Sequence, residues 1–145
     1  MQYSNSVEIV VFFNINTANG VPVYEQISRQ IIFAIASGGI ESGQLIPSVR
    51  NLSRELAVNP NTVSRAYRQL SDQGVLETIR GEGLAVMKGA AAKCRSSRKK
   101  IMSDRILSVL LEARQSQLTD EEIQWLVDGA METSKKKAKR NRTGG

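Results

Sequence analysis

The side chains with the most pointed chemistry lie between Asn59 and Arg68. Asn59, Asn61, Thr62 and Ser64 are short and polar, and Arg65 and Arg68 follow them at helical spacing. Short residues let a helix backbone approach the major groove of a duplex, where amide and guanidinium groups hydrogen-bond base edges and phosphates. Taken alone, such a face is the ordinary solvated side of an amphipathic helix, so its neighbours in the chain must decide. A further cation, Arg80, heads the run Arg80-Gly81-Glu82-Gly83. The 145-residue chain has no histidine, which removes most imidazole acid–base chemistry and most zinc or iron sites. It shows no glycine-rich phosphate loop, nucleophile elbow or paired-acid motif, so neither an enzyme nor a cofactor or metal site is expected. The single cysteine, Cys94, forms no internal disulfide and reads as a bystander thiol rather than a redox sensor.

Patterning supplies the elements that must position these groups. Residues 7–15 are rich in β-branched and aromatic types and predict a short strand, and Asn19-Gly20 predicts a turn. From Pro22 the apolar series Val23, Ile27, Ile31, Ala34 and Ile35 has helical spacing, ended by Gly38-Gly39. Pro47-Ser48 opens a second helix, with Ser48 as cap and Val49, Leu52 and Leu56 facing inward. Val58-Asn59-Pro60 breaks it; Asn59 then caps a third helix with Pro60 in the first helical position. There Val63, Ala66, Tyr67 and Leu70 form the inward stripe, which leaves the polar and basic residues outside, and Gly74 is placed to stop the helix. Val75 to Arg80 and Leu84 to Met87 make a hairpin through Gly81-Glu82-Gly83. The predicted fold class is α+β, a winged helix-turn-helix followed by a two-helix dimerisation appendage.

The expected organisation is a DNA-binding domain over 1–89, a small-residue basic linker over 90–100, a helical dimerisation region over 101–134, and a basic disordered tail over 135–145. The first helix of the appendage, Ser103 to Gln115, is apolar on more than one face through Ile106, Leu107, Val109, Leu110 and Leu111. Thr119 and Glu122 form a capping box for the second, whose stripe is Ile123, Leu126, Val127, Ala130 and Met131. The expected dimer interface comprises Ile106, Leu107, Leu110, Leu111, Ile123, Leu126 and Val127, with Trp125, off the stripe, either an anchor or a rim residue. The formal charge of +6 is unevenly placed. Residues 1–92 hold seven basic and seven acidic side chains, and the excess sits at 93–100 and 135–145, flanking an acidic 101–134. The basic end either adds non-specific affinity for a polyanion or is a solvated tail.

The runs Gly43-Gln44-Leu45-Ile46-Pro47-Ser48-Val49-Arg50 and Asn59-Pro60-Asn61-Thr62-Val63-Ser64-Arg65-Ala66-Tyr67, with Gly74 and Arg80-Gly81-Glu82-Gly83, resemble the GntR family of bacterial regulators. The resemblance covers about residues 21–88. With only some fifty residues behind the hairpin, too few for a large effector domain, the chain is similar to the short YtrA subfamily. The resemblance implies an operator-contacting arginine at Arg50 and short polar residues opening the recognition helix at Asn59, Asn61 and Thr62. It places Arg65 one turn further in and a minor-groove wing at Arg80, Gly81 and Gly83. Ser64 and Arg68 complete the expected DNA-binding set on the same helix. The chain departs from the family pattern in Leu84-Ala85, where a polar-then-aromatic pair is common, and in the acidic Glu82 at the wing tip.

Together these readings predict a cytoplasmic homodimer that regulates transcription, probing double-stranded operator DNA as a repressor, with no membrane contact and an unspecified effector. The alternative is a winged-helix adaptor for protein or RNA, in which the third helix packs on a partner; such a helix should expose apolar groups, whereas this one presents Asn, Thr, Ser and Arg. No apolar run is long enough for a bilayer, and no leader peptide is expected.

Overall fold

The computed structural model describes residues 13–143, with Thr143 as backbone only. The chain forms two compact units that divide between Lys100 and Ile101. In the first, α1 (Val23–Ala36) buries Ile27, Ile31 and Ile35 at four-residue intervals. Fully burying one such side chain is worth roughly 1.5–3 kcal/mol, so the stripe, more than local propensity, holds α1 in place. Gly38 at φ 87° closes the helix, and the Gly39 N–H reaches the Ala34 carbonyl at 2.8 Å.

Two glutamines one turn apart on α1 fasten the chain that precedes it. The Gln30 amide accepts from Asn14 N–H at 2.8 Å and donates to Asn14 O at 2.9 Å. Gln26, buried, does the same for Asn16 at 2.8 and 2.7 Å and also donates to Val21 O at 2.8 Å. The N-terminal strand expected over 7–15 lies outside the described residues except for Phe13 to Ile15, and those three are not in a strand. Of these three, Asn14 has its backbone N–H and carbonyl served by the Gln30 side-chain amide instead.

Next come α2 (Val49–Leu56) and α3 (Pro60–Asp72). Ser48 caps α2 by accepting from Asn51 N–H at 3.0 Å, and Asn59 caps α3 by accepting from Asn61 N–H at 2.8 Å. Between them Ala57 turns the chain at φ 55°, ψ 45°. Val63, Ala66, Tyr67 and Leu70 of α3 are buried, as the stripe requires. The antiparallel hairpin of β1 (Leu76–Ile79) and β2 (Gly83–Val86) pairs Leu76 with Val86 and Ile79 with Gly83. The segment before α2 extends this sheet: Ile46 N–H donates to Leu84 O at 2.9 Å, Val86 N–H to Gln44 O at 3.0 Å, and Leu45 bridges Ala85.

The sequence reading is corrected behind the hairpin. Residues 90–100 are not a linker but the opening turns of α4 (Ala90–Gln115), because the run of alanine, serine, cysteine, lysine and arginine contains no glycine or proline to stop a helix. Ala90 and Cys94, one turn apart, are buried, and Lys93 Nζ donates to Gln73 O at 3.3 Å; the first unit accordingly runs to Lys100 rather than to residue 89. In the second unit α5 (Asp120–Thr143) opens with the expected capping box, Thr119 N–H to Glu122 Oε1 at 2.9 Å and Glu122 N–H to Thr119 Oγ1 at 3.1 Å. Residues 135–143, expected to be a disordered tail, continue this helix. Lysine, alanine and arginine are good helix formers, and cations suit the negative end of the helix dipole. No helix among the described residues is long and apolar enough to cross a membrane.

Candidate nucleic-acid interface

The helix-turn-helix fixes α3 through its inner face and so leaves the outer one available. Tyr67 illustrates this: its ring is buried and its hydroxyl donates to Pro47 O at 2.8 Å, tying α3 to the residue before the α2 cap. Burial pushes the Tyr67 phenol well above its ordinary range. Ser28 of α1 donates to Ala66 O at 3.4 Å on the adjoining side.

On the outer face Asn61, Arg65 and Arg68 are exposed, and Thr62 and Ser64 are half-buried. Asn59 is exposed too, but its side-chain oxygen is committed to the cap. Arg50 is exposed in the first turn of α2. Arg80 is exposed where β1 ends, with Gly81 at φ 81° and Gly83 at φ 123° allowing the tight return into β2. Glu82 N–H closes the turn onto Ile79 O at 2.9 Å. All ten expected DNA-contact residues therefore belong to the first unit. Five sit on α3, with Asn59 at its cap, Arg50 on the preceding helix and the remaining three at the hairpin tip.

Sequence reasoning missed Tyr24. Its ring lies under the Arg65 guanidinium, whose central carbon is 3.9 Å from the ring centroid. The available signal was an aromatic in the first turn of α1, three residues before Ile27 and seven before Ile31, half-buried where the stripe reaches the end of the helix.

Of the expected interface residues in the second unit, Ile106, Leu107, Leu111, Trp125, Leu126 and Val127 are exposed, Trp125 at 75%. Leu110 is half-buried. Ile123 is the exception, buried within its own chain. It stands four residues after the Thr119 cap, with Leu118 just before it, the two positions of a hydrophobic staple. Cys94, expected in a flexible stretch, is buried on α4; burial raises its thiol pKa, partly opposed by the Lys93 charge. Among the described residues no group of three or more His, Cys, Asp or Glu could hold a metal ion.

Residues 23–86 match the family model described as bacterial regulatory proteins, gntR family. Over 99 residues, 68% of this chain and 76% of the relative, the sequence is 31% identical to the HTH-type transcriptional repressor YtrA of Bacillus subtilis. The chain belongs to the gntR family. It spans 57% and 60% of the lengths of two further relatives. A solved gntR-family transcriptional regulator from Listeria monocytogenes superposes with a TM-score of 0.59 at 28% identity, covering 77% of this chain and 96% of that one. YtrA from Sulfolobus acidocaldarius, a gntR-family transcription factor, gives 0.53 at 30% identity, covering 67% and 98%. As a gntR-family protein the molecule is a DNA-binding transcriptional regulator with a winged helix-turn-helix. The family match spans α1 to β2, the elements that carry Arg50, the α3 face and the hairpin tip.

Proposed function

We propose that the protein is a cytoplasmic, non-catalytic repressor that binds a palindromic operator as a homodimer, with α3 in the major groove and the hairpin tip at the adjoining minor groove. The observation that carries this reading is the outer face of α3. It offers amide, hydroxyl and guanidinium groups and no large apolar side chain, which suits base edges and phosphates and not a protein partner. The dimer rests on the second unit. Among the described residues, every large hydrophobic side chain that stays exposed lies between Met102 and Met131. A two-fold dimer reads two half-sites in opposite orientation, hence the palindrome. The repressor assignment follows the name of the Bacillus subtilis relative.

Selection of bound sequences from random duplex DNA by the full chain should return a palindrome. On that duplex Arg50→Ala and Arg65→Ala should each weaken binding by about 1–3 kcal/mol without changing the unfolding midpoint. Wild-type affinity in both variants would sink the assigned surface.

A further inference from the structure

We infer that Tyr24 is a positioning residue for DNA recognition: its ring holds the Arg65 guanidinium in place on α3 as a preset phosphate-binding group. The inference rests on α3 being the recognition helix.

Three features of the molecule carry it. The first is the stack itself, with the guanidinium carbon 3.9 Å from the ring centroid. A cation over an aromatic face is attracted by the negative potential of the ring, and exposed sites retain part of that attraction. The second is what surrounds the stack. Tyr24 is the second residue of α1 and Arg65 lies in the second turn of α3. One turn beyond Tyr24, Ser28 donates to the carbonyl of Ala66, the residue next to Arg65. The ring is thus carried by a helix whose place against α3 is fixed, rather than by a surface loop. The third is that the acid next to Tyr24 in sequence is already engaged. Glu25, the neighbour of Tyr24, pairs with Arg29 at 3.2 Å along its own helix.

The chemistry explains why a ring serves here better than a carboxylate. An aspartate or glutamate would orient Arg65 equally well, but it would occupy the N–H donors that a phosphate needs and cancel the charge. A ring face makes no bidentate claim on those donors. It restricts a rotamer-rich side chain before DNA arrives, so less conformational freedom is lost on binding. The family match includes the first turn of α1, but the task of Tyr24 is read from the geometry of the stack.

The test uses the full-length chain and the duplex it selects from a random library. Tyr24→Leu should weaken binding about two- to fivefold, the range of an exposed cation–π contact. Tyr24→Phe, which keeps the ring face, should bind as wild type. In an Arg65→Ala background Tyr24→Leu should cost nothing further. In the DNA-free protein the Arg65 Nε–H resonance should be shifted by the ring current, in wild type and in Tyr24→Phe. A Tyr24→Leu loss that persists in the Arg65→Ala background would overturn the proposal, because Tyr24 would then act on its own account. Undiminished binding by Tyr24→Leu, while Arg65→Ala is weakened, overturns the positioning role and leaves the recognition helix intact. Undiminished binding by Arg65→Ala overturns the underlying reading of Arg65, and the proposal with it. An unshifted wild-type resonance overturns the stack with no variant required.

Discussion

Tyr67 joins two jobs in one side chain, a buried ring in the α3 stripe and a hydroxyl donated to Pro47 O. Its apolar job was legible from helical spacing; its polar one was not, since the acceptor lies 20 residues away and no local pattern links them. Tyr67→Phe leaves that carbonyl without its donor, so unfolding in urea should show a loss of about 1–3 kcal/mol at neutral pH. The pH dependence follows from the raised phenol. Above an ordinary value of 10.0 the unfolded chain releases the proton while the folded one keeps it. Stability from this group is fully present below that pH and falls as pH rises, by up to about 1.4 kcal/mol per unit. Wild type should lose this increment in alkali and Tyr67→Phe should lack it. Equal alkaline losses in both proteins would count against the assignment. Cys94 escaped for a related reason: small and basic neighbours suggest an open segment, yet the face bearing Ala90 and Cys94 is buried.

Among the elements, the helices, their caps and the hairpin were readable because each is set by nearby residues: Ser48, Asn59 with Pro60, and Thr119 with Glu122 all cap as their types require. What failed were the segments judged by composition alone, 90–100 and 135–143, where charge suggested solvation and helix propensity decided. The strand-like run 43–46 was also invisible, since its partner β2 lies some forty residues further on. Two element junctions place a non-glycine residue at positive φ, Gln117 between α4 and α5 and Ala57 between α2 and α3. Ala57 ends α2 in the left-handed region at φ 55°, where an L side chain costs roughly 1–2 kcal/mol. Glycine relieves that cost but loses more freedom on folding, by about 0.5–1 kcal/mol. Ala57→Gly should therefore stabilise the protein by about 0.5–1 kcal/mol, seen as a higher thermal midpoint with unchanged DNA affinity. A lowered midpoint would mean that the alanine methyl contributes packing that outweighs the strain.

At the scale of the molecule the two units use apolar side chains in opposite ways. Among the described residues the first leaves no isoleucine or leucine exposed; the second leaves Ile106, Leu107, Leu111, Leu126 and Met131 exposed. On the proposed reading a second copy covers these side chains, in keeping with the apolar residues that the sequence places on more than one face of residues 103–115. Because Leu107 and Leu126 are exposed in the single chain, glutamate there should disturb the protomer little. Sedimentation of Leu107→Glu/Leu126→Glu should report a monomer that keeps its helical circular dichroism, while the parent chain sediments as a dimer. Half-site duplex should bind both alike, and full palindrome should favour the parent by the effective concentration of its second head. A double variant that remains dimeric would move the interface elsewhere.

The paired glutamines of α1 have a kinetic signature. Each amide accepts from the N–H and donates to the carbonyl of one of two alternate residues, Asn14 and Asn16, as a neighbouring strand would, so a helix here impersonates a sheet edge. Protection against hydrogen–deuterium exchange should then follow individual side chains rather than a cooperative ladder. Gln30→Ala should speed exchange at the Asn14 amide alone and Gln26→Ala at the Asn16 amide alone, whereas in a true sheet either change would loosen both. Simultaneous loss at the two amides in both variants would show that they open together as one cooperative piece.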